Sequence, residues 1–268
     1  MTTIRPPAVA GMFYPGEPAA LARDVDAMLA LARKEELRPK ALIAPHAGYI
    51  YSGPIAASAY ALLQPFARQI HRVVLLGPTH RVAVRGLALP GADGFATPLG
   101  VVKLDAAAAQ AIAHLPQVVV SSQAHALEHS LEVQLPFLQT LLPDFKLLPL
   151  AVGMATAEEV AQVLELLWGG AETLIVISSD LSHYLPYDTA RRLDESTAEA
   201  ILHLNGKLSH EQACGGTPVN GLLLAAQHHQ LVAHLLDLRN SGDTAGDKAR
   251  VVGYGAFAFT ESGHERRH

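Results

Sequence analysis

Short runs of β-branched and aliphatic residues, bounded by turn residues, alternate along this chain with longer segments whose apolar positions recur at helical spacing. The runs predict strands at Ala41–Ala44, Arg72–Leu76, Gln117–Val120, Lys146–Val152, Thr173–Ser178 and Arg250–Phe259. The apolar ones lack period-2 alternation, as strands covered on both faces do. Helices are predicted at Glu17–Glu35, from Ser52-Gly53-Pro54 to Leu63, and at Asp105–Leu115, Glu128–Leu142, Ala157–Leu167, Asp188–Asn205, His210–Ala213 and Pro218–His229. Pro54 suits a first helical position, and Gln64-Pro65 ends that helix. Between Gly86 and Asp105, two strand-like pieces among many turn residues predict a hairpin leaving the main sheet. Strands alternating with helices predict an α/β fold, a central sheet between helical layers. With no linker, repeat or low-complexity tract, one domain over residues 1–268 is expected, with a frayed tail from Ser262 to His268.

Composition narrows the function classes. The 268 residues are half hydrophobic and only 17% charged, so the core is aliphatic and disorder is excluded. Twenty basic residues against 25 acidic, with no Lys/Arg run, remove the electrostatic footprint of a nucleic-acid binder. The uncharged stretches 47–67 and 212–236 approach membrane-span length, but Pro54, Pro65, Gly215, Gly216, Pro218 and Asn220 interrupt them, so no membrane partner is expected. A single cysteine and no secretory leader point to the cytoplasm. Gly-x-Gly-x-x-Gly after a strand, a Walker loop and a Gly-x-Ser-x-Gly elbow are all missing, so neither a nucleotide enzyme nor a serine hydrolase is supported.

Three predicted strands end alike: Ala41–Ala44 runs into Pro45-His46, Arg72–Leu76 into Gly77-Pro78-Thr79-His80, and Thr173–Ser178 into Ser179-Asp180-Leu181-Ser182-His183. Ligands of open α/β sheets bind beyond the carboxyl ends of the strands. Parallel neighbouring strands would therefore gather His46, His80, Asp180 and His183 at one edge. Neutral imidazoles with a carboxylate or thiolate hold zinc, iron or copper, so this is a metal-site pattern. Cys214, in a glycine-rich break before the helix at Pro218, is a further donor whose thiol pKa the helix start can lower; the alternative is a small buried hydrophobe. The third ligand stays open between Cys214 and Asp180. His129 and Glu132, three apart on a predicted helix, would share a face and act as supporting or acid/base groups. His125 reads as a loop residue, His228, His229 and His234 as structural, and His264 and His268 as tail.

Arg5-Pro6-Pro7-Ala8-Val9-Ala10-Gly11-Met12-Phe13-Tyr14-Pro15, Ala44-Pro45-His46-Ala47-Gly48-Tyr49, Gly77-Pro78-Thr79-His80, Thr97-Pro98-Leu99-Gly100, Glu128-His129-Ser130-Leu131-Glu132, Ser178-Ser179-Asp180-Leu181-Ser182-His183-Tyr184 and Val251-Val252-Gly253-Tyr254-Gly255 together resemble the Memo family. Its prokaryotic members are also called AmmeMemoRadiSam system protein B. The resemblance implies a fold similar to class III extradiol dioxygenases, a three-layer α/β/α arrangement on a mixed, largely parallel sheet with a metal pocket at the strand ends. It implies His46 and His80 as metal ligands and Cys214 where the dioxygenases carry a carboxylate. It further implies His183 as an acid/base residue, Asp180 beside it, and radical-SAM and AMMECR-type proteins as partners. A thiolate in place of a carboxylate softens the site toward copper, zinc or a differently tuned iron, so dioxygenase activity on a small molecule is not inherited with the fold. The functional expectation is an iron or copper site, zinc being a third option, for redox or oxygen-dependent chemistry on an unknown substrate. The alternatives are a metal-binding adaptor module and a zinc hydrolase.

Overall fold

A computed structural model describes residues 2–33 and 35–262; His264, His268 and the rest of the expected tail beyond Ser262 lie outside them. The strands are β1 Ile4–Arg5, β2 Ala41–Ala44, β3 Arg72–Pro78, β4 Leu87–Leu89, β5 Gly94–Thr97, β6 Gly100–Lys103, β7 Val118–Val120, β8 Lys146–Val152, β9 Thr173–Ser178, β10 His183–Leu185, β11 Leu231–Asn240 and β12 Val251–Glu261. The helices are α1 Pro18–Leu31, α2 Tyr49–Tyr60, α3 Ala106–Ile112, α4 Ser122–Ala126, α5 Leu135–Leu141, α6 Ala157–Leu167, α7 Tyr187–Leu202, α8 Gly216–His228 and α9 Ser241–Thr244. Nine strands form one mixed sheet in the order β10-β12-β2-β9-β3-β8-β4-β7, with β11 also paired to β12. Its centre, β2-β9-β3-β8, is parallel, while β12 and β4 flank that centre antiparallel.

Both faces of the sheet are covered, which is why the strands read as continuous apolar runs. Leu42, Val73, Leu75, Leu174 and Val176 face one core with α1, α2 and α5; Ala41, Ile43, Val74, Leu76, Ile175 and Ile177 face the other with α3, α6, α7 and α8. No helix among the described residues is long and apolar enough to cross a membrane.

Four local expectations change. The β5–β6 hairpin does leave the main sheet, pairing with β1 in a separate three-stranded sheet, but β4 stays in the large one. Pro54 lies inside α2, which begins at Tyr49; the bond it cannot make would fall on the carbonyl of exposed Ile50 in the first turn. His210–Ala213 is a turn rather than a helix, both Gln212 and Ala213 donating to the Ser209 carbonyl. The helix expected over Glu128–Leu142 is broken: α4 stops at Ala126, residues 128–131 form a loop, and helix resumes after a 3-10 turn at Glu132–Gln134.

Glu128 holds the loop in place. Its carboxylate accepts the backbone N–H of His129 (2.9 Å) and Ser130 (2.9 Å) and reaches over to the N–H of His80 (2.5 Å). Glu132 consequently shares no face with His129. It is fully buried and receives the Arg5 guanidinium, the N–H groups of Ala8 (2.7 Å) and Val9 (3.0 Å), and the Tyr14 hydroxyl (2.5 Å). Its role is to moor the amino-terminal segment, whose Phe13 ring packs 4.8 Å from that of His129.

Candidate metal centre

The three strand ends are neighbours, as their sequence endings imply: β9 lies between β2 and β3, all parallel, so His46, Asp180 and His80 emerge at one edge. The loop held open by Glu128 adds His129. One ring nitrogen from each of His46, His80 and His129 forms a group whose members all lie within 4.8 Å of one another, a set of donors that can hold a metal ion. His129, expected to support the site alongside Glu132, is instead a member of this nitrogen cluster. Pro136, at the start of α5, was the signal that the helix begins after it.

The surroundings fix which nitrogen each ring presents. The single proton of the Ser178 hydroxyl goes to the Ser130 carbonyl (2.6 Å), so Ser178 Oγ accepts from Gln134 Nε2 (2.8 Å) and from His46 Nδ1 (2.9 Å). Gln134 is itself oriented by the Tyr60 hydroxyl at its Oε1 (2.8 Å) and the Pro45 carbonyl at its Nε2 (2.9 Å). His46 therefore carries its proton on Nδ1 and offers a bare Nε2. His80 does the same, with Nδ1 2.9 Å from Glu128 Oε1. Burial would raise the Glu128 carboxyl, but hydrogen bonds from His80 and from the Ser130 and His80 backbone outweigh it and hold it down to about 2. Such partners on the far nitrogen set ring orientation and ligand basicity in metal sites.

Burial, and then the neighbouring His80, push His46 down to about 3; burial and then His46 push His129 down to about 4. Both are thus neutral lone-pair donors at ordinary pH. Asp180, buried, accepts the His46 backbone N–H (2.7 Å) and places its other oxygen 4.0 Å from His46 Nε2. Burial raises its carboxyl above the usual range. His183 donates Nδ1–H to the Leu181 carbonyl (2.8 Å), leaving Nε2 free, and is near enough for its charge to act on both Asp180 and His46. Cys214 Sγ lies 3.4 Å from His46 Nε2. Its thiol is pushed up to about 12, by burial and then by Asp180, the reverse of the lowering expected from the helix start. Beside His80 and Cys214 opens a cleft of about 630 Å³ that includes Thr79, Arg85, Met154 and Thr156.

A latch presents Asp180 and His183. Asp194 of α7 accepts the Ser182 N–H (3.0 Å), while Gly253 of β12 donates to the Ser182 carbonyl (2.8 Å) and accepts from Leu181 (2.8 Å). A Cβ at Gly253 would land on the Asp194 carboxylate. Gly253→Ala is expected to cost about 1–3 kcal/mol by urea denaturation, through a buried acceptor pushed off its donor. A stability within about 0.5 kcal/mol of wild type, the range of an ordinary surface substitution, would show that the latch is slack.

Residues 5–258 match the family model described as Memo-like protein. The chain belongs to the Memo family. A MEMO1 family protein of Aquifex aeolicus is 38% identical over 269 residues, spanning 96% of this chain and 99% of its own. One of Archaeoglobus fulgidus is 38% identical over 275 residues, again spanning 96% and 99%. The crystal structure of the uncharacterized protein JW3007 from Escherichia coli K12 is similar at 16% identity and a TM-score of 0.49, covering 80% of this chain and 98% of its own. Apart from Thr97-Pro98-Leu99-Gly100, which closes the β5–β6 hairpin, the Memo motifs quoted from this sequence converge physically. The amino-terminal Arg5–Tyr14 motif docks on Glu132, and the motifs of His46, His80 and Glu128-His129 build the nitrogen cluster. The Asp180–His183 and Gly253 motifs hold each other beside it.

Proposed function

We propose that this Memo-family chain binds one iron or copper ion at His46, His80 and His129 and performs redox or oxygen-dependent chemistry on a small molecule in the adjoining cleft. What supports this is the convergence of three imidazole nitrogens, two of them bared toward the centre by fixed partners on the opposite ring atom. Imidazole donors suit iron, copper and zinc rather than magnesium or calcium. When bound, the ion supplies a Lewis-acid and redox centre. Cys214, beside His46 Nε2, supports the His46/His80/Cys214 set as the competing ligand arrangement. In either arrangement His183 moves a proton at its free Nε2, and Asp180 orients His46 through the backbone and polarises the groups facing it.

Elemental analysis of anaerobically purified protein, stripped and reloaded with Fe(II), Cu(I) and Zn(II) in competition, tests the reading. Near-equimolar iron or copper is expected, with affinity lowered at least a hundredfold in His80→Ala and His129→Ala, more than loss of an outer-shell partner produces. Retention in His129→Ala with loss in Cys214→Ala would transfer the third position to the thiol. Exclusive zinc loading would favour hydrolysis, and no tight metal in wild type would overturn the reading.

A further inference from the structure

We infer that the cleft beside the metal centre takes a small organic acid, with Arg85 gripping its carboxylate; this rests on the reading that the cleft serves that centre. The chain carries a net charge of −5, yet the cleft containing His80 and Cys214 also contains Arg85, whose guanidinium has no hydrogen-bond or ion-pair partner among the described residues. The acidic side chain in the same cleft, Glu159, is already used: its Oε2 accepts the Thr156 N–H (2.8 Å) in the cap of α6. His210 turns its Nδ1 to the Cys214 carbonyl (3.4 Å). Arg85, exposed at this cleft, is therefore its arginine left without a partner, and a planar fork of donors matches a carboxylate in two parallel hydrogen bonds.

Its backbone is a rigid platform rather than a loose loop. Arg85 bridges to Met154, flanked by Met154 N–H to the Val84 carbonyl (2.8 Å), Gly86 N–H to the Met154 carbonyl (2.8 Å) and Gly153 N–H to the Gly86 carbonyl (2.9 Å). The approach is so close that a Cβ at Gly86, where φ is +85°, would strike the Gln117 carbonyl, and one at Gly153 the Val84 carbonyl. Val84, Met154 and Ala155 give the same cleft apolar surface for the body of the acid. Holding a cation on a fixed backbone in a partly apolar cleft is how binding sites set orientation with few polar groups.

Calorimetric titration with benzoate against its neutral isostere benzamide, and with phenyl phosphate, tests this on metal-free and metal-loaded protein. Benzoate is expected to bind at least tenfold tighter than benzamide in both forms. Arg85→Gln should erase the difference while leaving metal content unchanged, and Arg85→Lys should retain part of it. No preference for the acid in wild type, or a preference that survives in Arg85→Gln, overturns the inference. Phenyl phosphate preferred over benzoate would overturn the carboxylate assignment in favour of a phosphate. Because the metal-free arm reads Arg85 alone, failure to load metal sinks the proposed function without touching this result.

Discussion

Replacing Glu132 by alanine will lower the melting temperature by about 10 °C, because removing one member of a buried ion pair costs about 3–5 kcal/mol and each kcal/mol shifts a chain of this size by roughly 2–4 °C. The fully buried carboxylate is shared by the Arg5 guanidinium, two backbone N–H groups and the Tyr14 hydroxyl, and all four lose their acceptor together. Arg5 keeps its bonds to the carbonyls of His125 (2.8 Å) and Glu128 (2.6 Å), so the segment is expected to loosen rather than to leave. The damage should reach the histidine cluster through Phe13, which packs on His129. Thermal unfolding followed by circular dichroism, with limited proteolysis reporting the amino-terminal segment, checks it. A shift under about 2 °C would mean that water replaces the carboxylate without cost, contrary to its burial.

Acid will destabilise the metal-free protein steeply between about pH 6.5 and pH 4. The sign follows from the histidines: an unfolded histidine takes its proton near 6.5, whereas buried His46 holds out to about 3 and His125 and His129 to about 4. Below pH 6.5 the unfolded chain thus binds more protons than the native one, and stability falls as pH falls. For His46 alone the linkage is on the order of 4 kcal/mol. His129 does not add in full, since part of its lowering comes from His46 itself. Glu128 acts in the same direction lower down: its folded pKa of about 2 lies below the ordinary 4.5, so its contribution is whole above about pH 5 and drains away toward pH 2. Urea midpoints measured from pH 8 to pH 4, on wild type and His46→Gln, give the slope and its owner. A flat wild-type profile would contradict the neutral, buried imidazoles, and an unchanged slope in the variant would move its origin away from His46.

The parallel heart of the sheet was legible because burial on both faces writes itself as uninterrupted Leu, Val and Ile, and the strand-end histidines followed from it. Loops whose form is set by a distant side chain were not legible. Glu128-His129-Ser130 carries no Gly or Pro to mark a loop, and the Glu128 carboxylate that holds it is braced against His80 from 48 residues away. The same blindness put Glu132 on a face with His129, when its partners are Arg5 and Tyr14, more than a hundred residues upstream. Strand β11 carries a weak sequence signal because its side chains are mostly half-buried and its central register is shifted between Leu235 and Asp237, which blurs the period-2 pattern. Cys214 was legible as a position beside the histidines but not in its protonation, which depends on burial and on the Asp180 charge.

The sheet's order in space is not its order in synthesis. All three clustered histidines leave the ribosome before β9, yet β9 is the strand that lies between β2 and β3 and sets the distance between His46 and His80. Strand β12, last of the chain, closes the other side of β2. A nascent chain therefore carries His46 more than a hundred residues, and His129 more than forty, ahead of the strand that completes the cluster, and long-range parallel pairing of this kind is slow to form. The three imidazoles stay apart until β9 is inserted between β2 and β3, and only then can one ion meet all of them at once.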